Sequence, residues 1–168
     1  MDLTRFLLKN YQNKLNNGSV TWSSPSNIAL VKYWGKRDSE LNLPVTSSLS
    51  VSLGNKGSFT TVKHEGDIDS YILNGKLIDP ETTFARRLEN FLNLFRSRGV
   101  SYLVEIDTNV PIAAGFASSA CGFAALVQAL NNLYDWKLSK KDLSILARLG
   151  SGSACRSLFG GFVEWQRG

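Results

Sequence analysis

Three segments of this 168-residue chain carry side chains that could hold a small anion. In SNIALVKYWGKRD, Asn27 lies just before an apolar run and Lys32 lies inside it, followed by Tyr33, Lys36 and Arg37. A lysine in such a run either snorkels out to water or faces a polar cleft. In GSGSACRS, Ser151 and Ser153 precede Arg156, whose planar guanidinium can grip phosphate or carboxylate as a fork. Its bland alternative is an arginine on a helix surface. Asn27, Lys32, Lys36 and Arg156 together are the set that a substrate with several negative charges would require.

The third segment, PIAAGFASSACGFAAL, admits two readings. It follows a strand and runs through small residues into a helix. The first turn of a helix has N–H groups without intrahelical partners and a partial positive charge. Gly115 and Ala117 leave the backbone open to phosphate oxygens, and Ser118 and Ser119 add hydroxyls that could bond phosphate or a magnesium shell. Equally, the stretch could be an alanine-rich helix capped by serine and packed closely. It lacks the Gly-Lys-Ser/Thr of a Walker loop and the G-x-G-x-x-G of a dinucleotide fold, so the pattern alone leaves both readings open.

Other chemistries are poorly supplied. The only histidine is His64, at the end of a strand, where it reads as solvated. Cys121 and Cys155 are widely separated in small-residue segments and read as buried free thiols. The cysteines make no metal-ligand pattern, and a His/Cys metal site or a Ser-His-Asp triad would have to be built around that one imidazole, which puts zinc enzymes and triad hydrolases far down the list. The net charge of +5 is compatible with nucleic acid, a membrane surface or a small polyanion. The basic residues form no long block. Arg86 and Arg87 read as the solvated face of a helix, and Arg96 and Arg98 as cations at its negative end. No apolar run reaches the roughly 18 residues of a membrane span, and the N-terminus lacks the cleavage site of a signal peptide.

The elements that must position these residues follow from periodicity. Residues 1–16 are expected to form an amphipathic helix. VTWSS is followed by Pro25 and Asn27, which punctuate the chain before IALVKYW. SLSVSLG alternates as a strand, and FTTVKHE and SYILNGKLI extend the β-rich part, with Asn74-Gly75 as a hairpin signal. Over 80–98 the apolar residues Phe84, Leu88, Phe91, Leu92 and Phe95 fit a helix closed by Gly99. A strand at 102–106 and a helix at 118–134 follow. Ser139 to Asp142 is a capping-box variant opening a helix to Gly150, and FVEWQ returns to strand. Strands first, then helices mixed with strands, define an α+β class.

SNIALVKYWGKRDSELNLPVTSSLSVSL, PIAAGFASSACGFAAL and GSGSACRSLFGGFVEW closely resemble the diphosphomevalonate decarboxylases. These belong to the galactokinase, homoserine kinase, mevalonate kinase and phosphomevalonate kinase superfamily. The likeness covers residues 22–168. It implies a mixed sheet packed with helices, the ribosomal-protein-like N-terminal domain of that superfamily, over residues 1–168. It also implies a C-terminal domain that this chain does not contain, carrying the catalytic aspartate. Asp38 and Asp107 stand in other segments. Phe116 replaces the more usual leucine, and Cys121 a small residue.

The resemblance implies an ATP-dependent carboxy-lyase of isoprenoid biosynthesis, acting in the cytoplasm as a homodimer with Mg2+. It would phosphorylate the 3-hydroxyl of diphosphomevalonate, then release phosphate and CO2 to leave isopentenyl diphosphate. By the same resemblance Gly115, Ala117, Ser118 and Ser119 cradle the ATP phosphates. Tyr33, Lys36, Ser151, Ser153 and Arg156 hold the substrate's diphosphate and carboxylate. Lys32 lies at the reacting groups, and Asn27 belongs to the same network; Lys32 and Arg156 are the expected catalytic pair. A phosphomevalonate decarboxylase or a mevalonate 3-kinase would share these residues. A basic nucleic-acid-binding module is the reading from another class, and neither nucleic acid nor membrane is the expected partner.

Overall fold

The computed structural model describes residues 18–96, 99–111 and 118–167. The helix expected over 1–16 therefore lies outside the described residues, as do Arg98, Gly115 and Ala117. Eight strands are β1 Ser19–Val31, β2 Lys36–Asp38, β3 Leu43–Pro44, β4 Ser48–His64, β5 Ser70–Leu73, β6 Lys76–Leu77, β7 Tyr102–Thr108 and β8 Phe162–Trp165. The helices among the described residues are α1 Thr83–Leu92, α2 Ser118–Leu133 and α3 Lys140–Gly150, with a 3-10 turn at Gly152–Arg156.

The main sheet runs β1-β4-β7-β5-β6, with β8 on the other side of the first part of β4. Only β5 and β7 are parallel; all other pairs are antiparallel. The expected α+β class is the one found. Two strand boundaries differ from expectation. Pro25 does not end a strand: β1 passes through it with a register shift between Pro25 and Asn27. The missing N–H of proline is tolerated there because β1 is an edge strand and the site is a bulge. Likewise SLSVSLG and FTTVKHE are one strand, β4, continued through Gly54 at φ +63°.

The hairpin at Asn74-Gly75 forms with φ +47° and +74°, pairing Leu73 with Lys76. Helix α1 begins at Thr82, whose hydroxyl accepts from the Ala85 N–H. It ends at Leu92 and not at 98, because Leu94 and Phe95 donate to Phe91 and Leu92 in tighter turns. Phe95 nonetheless stays buried against Phe91 and Trp136, which is why the apolar period outruns the helix. Helix α3 is capped as expected, with the Ser139 hydroxyl accepting from the Asp142 N–H.

Helix α2 is buried on every side over 120–130, as a helix enclosed between a sheet and other helices must be. Where it lies on β1 and β4 the contact is built of small polar side chains. Gln128 Nε2 donates to Ser24 Oγ at 2.7 Å, Ser58 Oγ meets Cys121 Sγ at 3.0 Å, and Thr60 donates to the Gly122 carbonyl. The other face of the sheet carries Thr61, Lys63, Glu105 and Asp107, with Phe59 half exposed. Both cysteines are buried free thiols. Burial pushes both thiols up, Cys155 to about 12, so they stay protonated and inert near neutral pH.

Arg96 does not serve the α1 dipole. It lies beyond the helix and forks onto Asp69 at 3.1 and 2.5 Å, with its guanidinium over the Tyr102 ring. Asp69 also accepts from the Tyr102 N–H and the Tyr71 hydroxyl, tying β5 to β7. Burial alone would raise the Asp69 carboxyl, but Arg96, the Tyr102 N–H and Tyr71 hold it below the usual carboxylate range. A carboxyl depressed by folding adds stability above its unfolded value, and that stability is lost as pH falls through the folded value. Urea midpoints measured from pH 7 down to 2 should fall steeply below about pH 4. In Asp69→Asn that acid limb should be shallower, with stability at pH 7 lower by about 2–3 kcal/mol.

Candidate functional site

The anion-binding candidates come together where β1 leaves the sheet and α3 ends. Asn27 is held in β1, opposite Ser52 of β4. Its Nδ2 donates to Ser157 Oγ at 2.7 Å and to the Ser153 carbonyl at 3.2 Å. Arg156 closes the 3-10 turn and is 3% exposed. Its Nη1 donates to Ser48 Oγ at 2.7 Å. Within this group, Asn27 Oδ1 and Arg156 Nε are buried and have no hydrogen-bond partner among the described residues.

Asn27, Lys32, Tyr33, Ser153 and Arg156 line one cavity of about 470 Å³. Lys32 lies just past the end of β1, and the apolar residues around it, Leu30, Val31 and Trp34, are exposed. Lys32 is itself exposed to solvent while also lining this cavity. A second cavity, of about 590 Å³, is lined by Tyr33, Lys36, Glu40, Asn42, Arg87 and Ser151 together with several apolar side chains. Tyr33 forms a wall of both. It is fixed by an edge-on contact with Trp165 at 4.9 Å and by the absence of a side chain at Gly152. A Cβ there would stand 2.7 Å from the Tyr33 hydroxyl oxygen.

Among the described residues the hydrogen-bond partner of the buried Arg156 cation is a neutral hydroxyl. Burial lowers its affinity for the proton, the direction expected where no anion compensates. Guanidinium remains charged even so. Burying such a charge without a counter-ion opposes folding, so an anion entering the cavity would relieve it.

The expected phosphate cradle is described only in part. Ser118 opens α2, and Ser119 in its first turn lines an apolar cavity of about 240 Å³ with Ser58, Leu73, Phe84, Ile106, Thr108 and Gly122. No acidic residue stands in that first turn, so the positive end of the helix dipole is not neutralised there. Gly115 and Ala117 are outside the described residues.

Among the described residues no three histidine, cysteine or carboxylate side chains converge, so they form no cage for a metal ion. Magnesium is commonly held by one or two carboxylates plus substrate phosphates. His64 is exposed at the end of β4. No described helix is long and apolar enough to cross a membrane.

Sequence reasoning missed two residues here. Arg87 read as part of a solvated face, yet its Nη2 donates to the Gly150 carbonyl at 3.0 Å and its guanidinium lies over the Phe123 ring. Asn42 carried no reading of its own, yet its Nδ2 donates to the carbonyls of Arg148 and Leu149. The available signal was an asparagine in the loop L-N-L-P, a residue type that tolerates left-handed backbone, and its φ is +52°.

A mixed sheet backed by helices thus carries two cavities at the end of β1, one lined by Lys32 and Arg156 and the other by Lys36 and Arg87 beside Glu40. Residues 24–168 match the family model of the diphosphomevalonate decarboxylase-like N-terminal domain, and the chain belongs to that family. A diphosphomevalonate decarboxylase of Gibberella zeae is 48% identical over 92% of this chain and 44% of its own length. The crystal structure of mevalonate diphosphate decarboxylase from Staphylococcus aureus superposes with a TM-score of 0.83 at 41% identity, over 89% of this chain and 46% of that one. A structure of MDDEF in complex with MVAPP, AMPPCP and magnesium gives a TM-score of 0.79 at 46% identity, over 89% and 47%. The chain thus spans less than half the length of these relatives.

The structure implies a direct test of the buried cation. Mevalonate, which carries a carboxylate and no diphosphate, at about 100 times its dissociation constant should stabilise the protein by about 2.7 kcal/mol. Arg156→Met should change unliganded stability by less than about 1 kcal/mol, yet abolish most of the mevalonate shift in a thermal melt. An equal shift in both proteins would remove Arg156 from the anion site.

Proposed function

We propose that this chain is the ATP- and substrate-binding part of a diphosphomevalonate decarboxylase. The observation that carries the reading is the pair of adjoining cavities. One gathers Asn27, Lys32, Ser153 and the uncompensated Arg156; the other gathers Lys36 and Ser151; Tyr33 separates them. A substrate with a carboxylate and tertiary alcohol at one end and a diphosphate at the other matches that division.

In this reading Arg156 forks onto the carboxylate, while Lys36, Tyr33 and Ser151 hold the diphosphate. Lys32 neutralises the charge between the 3-hydroxyl oxygen and the incoming phosphoryl group. By the family resemblance Gly115, Ala117, Ser118 and Ser119 are assigned to the ATP phosphates. Phosphoryl transfer needs positioning and charge neutralisation more than covalent help. The 3-hydroxyl oxygen takes the γ-phosphoryl group and gives up its proton. The C–O bond to phosphate then breaks, and the electron pair of the carbon–carboxylate bond becomes the new double bond as CO2 leaves. None of the side chains lining the Arg156 cavity is a carboxylate. The proton acceptor therefore comes from outside that lining, where the family resemblance expects an aspartate of the second half. Magnesium bridging the ATP phosphates, a homodimer and a cytoplasmic location belong to the same proposal.

The complete natural protein, given magnesium, should release phosphate and CO2 only when both ATP and diphosphomevalonate are present. Comparing rates with the monophosphate tests the length of the tail. Ser119→Ala should raise the KM for ATP by roughly tenfold while leaving the substrate KM near its original value. No turnover by the unaltered protein would overturn the reading; unchanged kinetics in the variant would remove Ser119 from it.

A further inference from the structure

The last four carbonyls of an α-helix have no partner within the helix. In α3 each of them is accounted for. The Ser151 N–H donates to Ala147 at 3.2 Å. Asn42 Nδ2 donates to Arg148 at 2.9 Å and to Leu149 at 3.2 Å, and Arg87 Nη2 donates to Gly150 at 3.0 Å. Helices commonly end instead with a left-handed residue that folds the backbone over its own carbonyls. Here Ser151 is extended, with φ −158°. The chain can leave the helix in that direction because side chains from two other elements take the carbonyls.

Asn42 stands in the turn between β2 and β3, and β2 begins at Lys36. Arg87 comes from α1. The turn that follows Gly150 carries Ser151, Ser153 and Arg156. Asn42 and Arg87 line the same cavity as Lys36 and Ser151. We infer that Asn42 and Arg87 are positioning residues that clamp the end of α3 and thereby hold the Lys36 hairpin and the Ser151–Arg156 turn at the separation the anionic substrate requires. This rests on the functional reading above for its substrate, but not for its geometry. Small errors in such positioning are costly in binding and rate.

The test uses the complete natural protein. In Asn42→Ala the KM for diphosphomevalonate should rise roughly tenfold, with the KM for ATP within about twofold of the original. Arg87→Ala should act the same way, and Arg87→Lys should recover most of the loss, since an ammonium can still donate to the Gly150 carbonyl. A merely structural role would lower the melting temperature and the active fraction without moving the substrate KM. Unchanged substrate KM in both alanine variants overturns the clamp. Arg87 is exposed, so its variants decide the matter if Asn42→Ala fails to fold. Should the unaltered protein fail to turn over diphosphomevalonate, the functional reading falls. Calorimetric affinity for inorganic pyrophosphate then replaces KM as the readout. Weaker binding by the variants supports the clamp, and equal binding overturns it.

Discussion

Helix α3 has to stop at Gly150, and much of the structure is arranged around that stop. A Cβ at Gly150 would lie 2.2 Å from the Phe123 ring, so the helix can press against α2 only where the side chain is absent. Two residues on, Gly152 makes room for Tyr33 in the same way. Between these two close approaches the backbone turns out of the helix and into the 3-10 turn. The direction of that turn decides where Ser151, Ser153 and Arg156 point. Packing between helices and the shape of the anion cavities are therefore consequences of one contact.

The cavities also show what the domain gives up to be ready for a ligand. Arg156 is buried beside Ser48 and Asn27 in a setting without a compensating carboxylate in its lining. Such a charge weakens the folded state on its own. The small polar contact between α2 and the strands is another concession, since serine and threonine bury less apolar area than valine or leucine would. What it provides is close approach of the helix to the sheet. The larger apolar core, from Phe91, Phe123, Leu126 and Leu130 to Tyr134 and Trp136, offsets both.

Several local signals in the sequence were reliable, although the apolar period of α1 outran the helix. The Asn74-Gly75 turn, the Ser139 cap and the apolar stripe of α2 each depend on residues a few positions apart, and each formed as read. Likewise the three motifs with Lys32, Arg156 and Ser119 were visible as candidates, and the first two now share a cavity. Readings failed where distant partners decide. Pro25 looked like punctuation because nothing nearby reveals that β1 is an edge strand able to bulge. Arg96 looked like a dipole partner because Asp69 is far away in sequence. Arg87 and Asn42 were overlooked because the carbonyls they hold are 63 and 106 or 107 residues away. A side chain's role in capping another helix leaves little trace in its own neighbourhood.

Strand β8 pairs with Ser48–Val51 at the head of β4, on the flank that β1 does not cover. It is the last element of this segment to leave the ribosome, whereas its partner is among the first. During synthesis the head of β4 therefore waits with one edge open, close to exposed Leu30, Val31 and Trp34 on and beyond β1. Unpaired edges next to apolar side chains are where nascent chains associate wrongly. The order of strands thus sets a clock on biogenesis: the sheet beside the Arg156 cavity is also the part of this segment completed last.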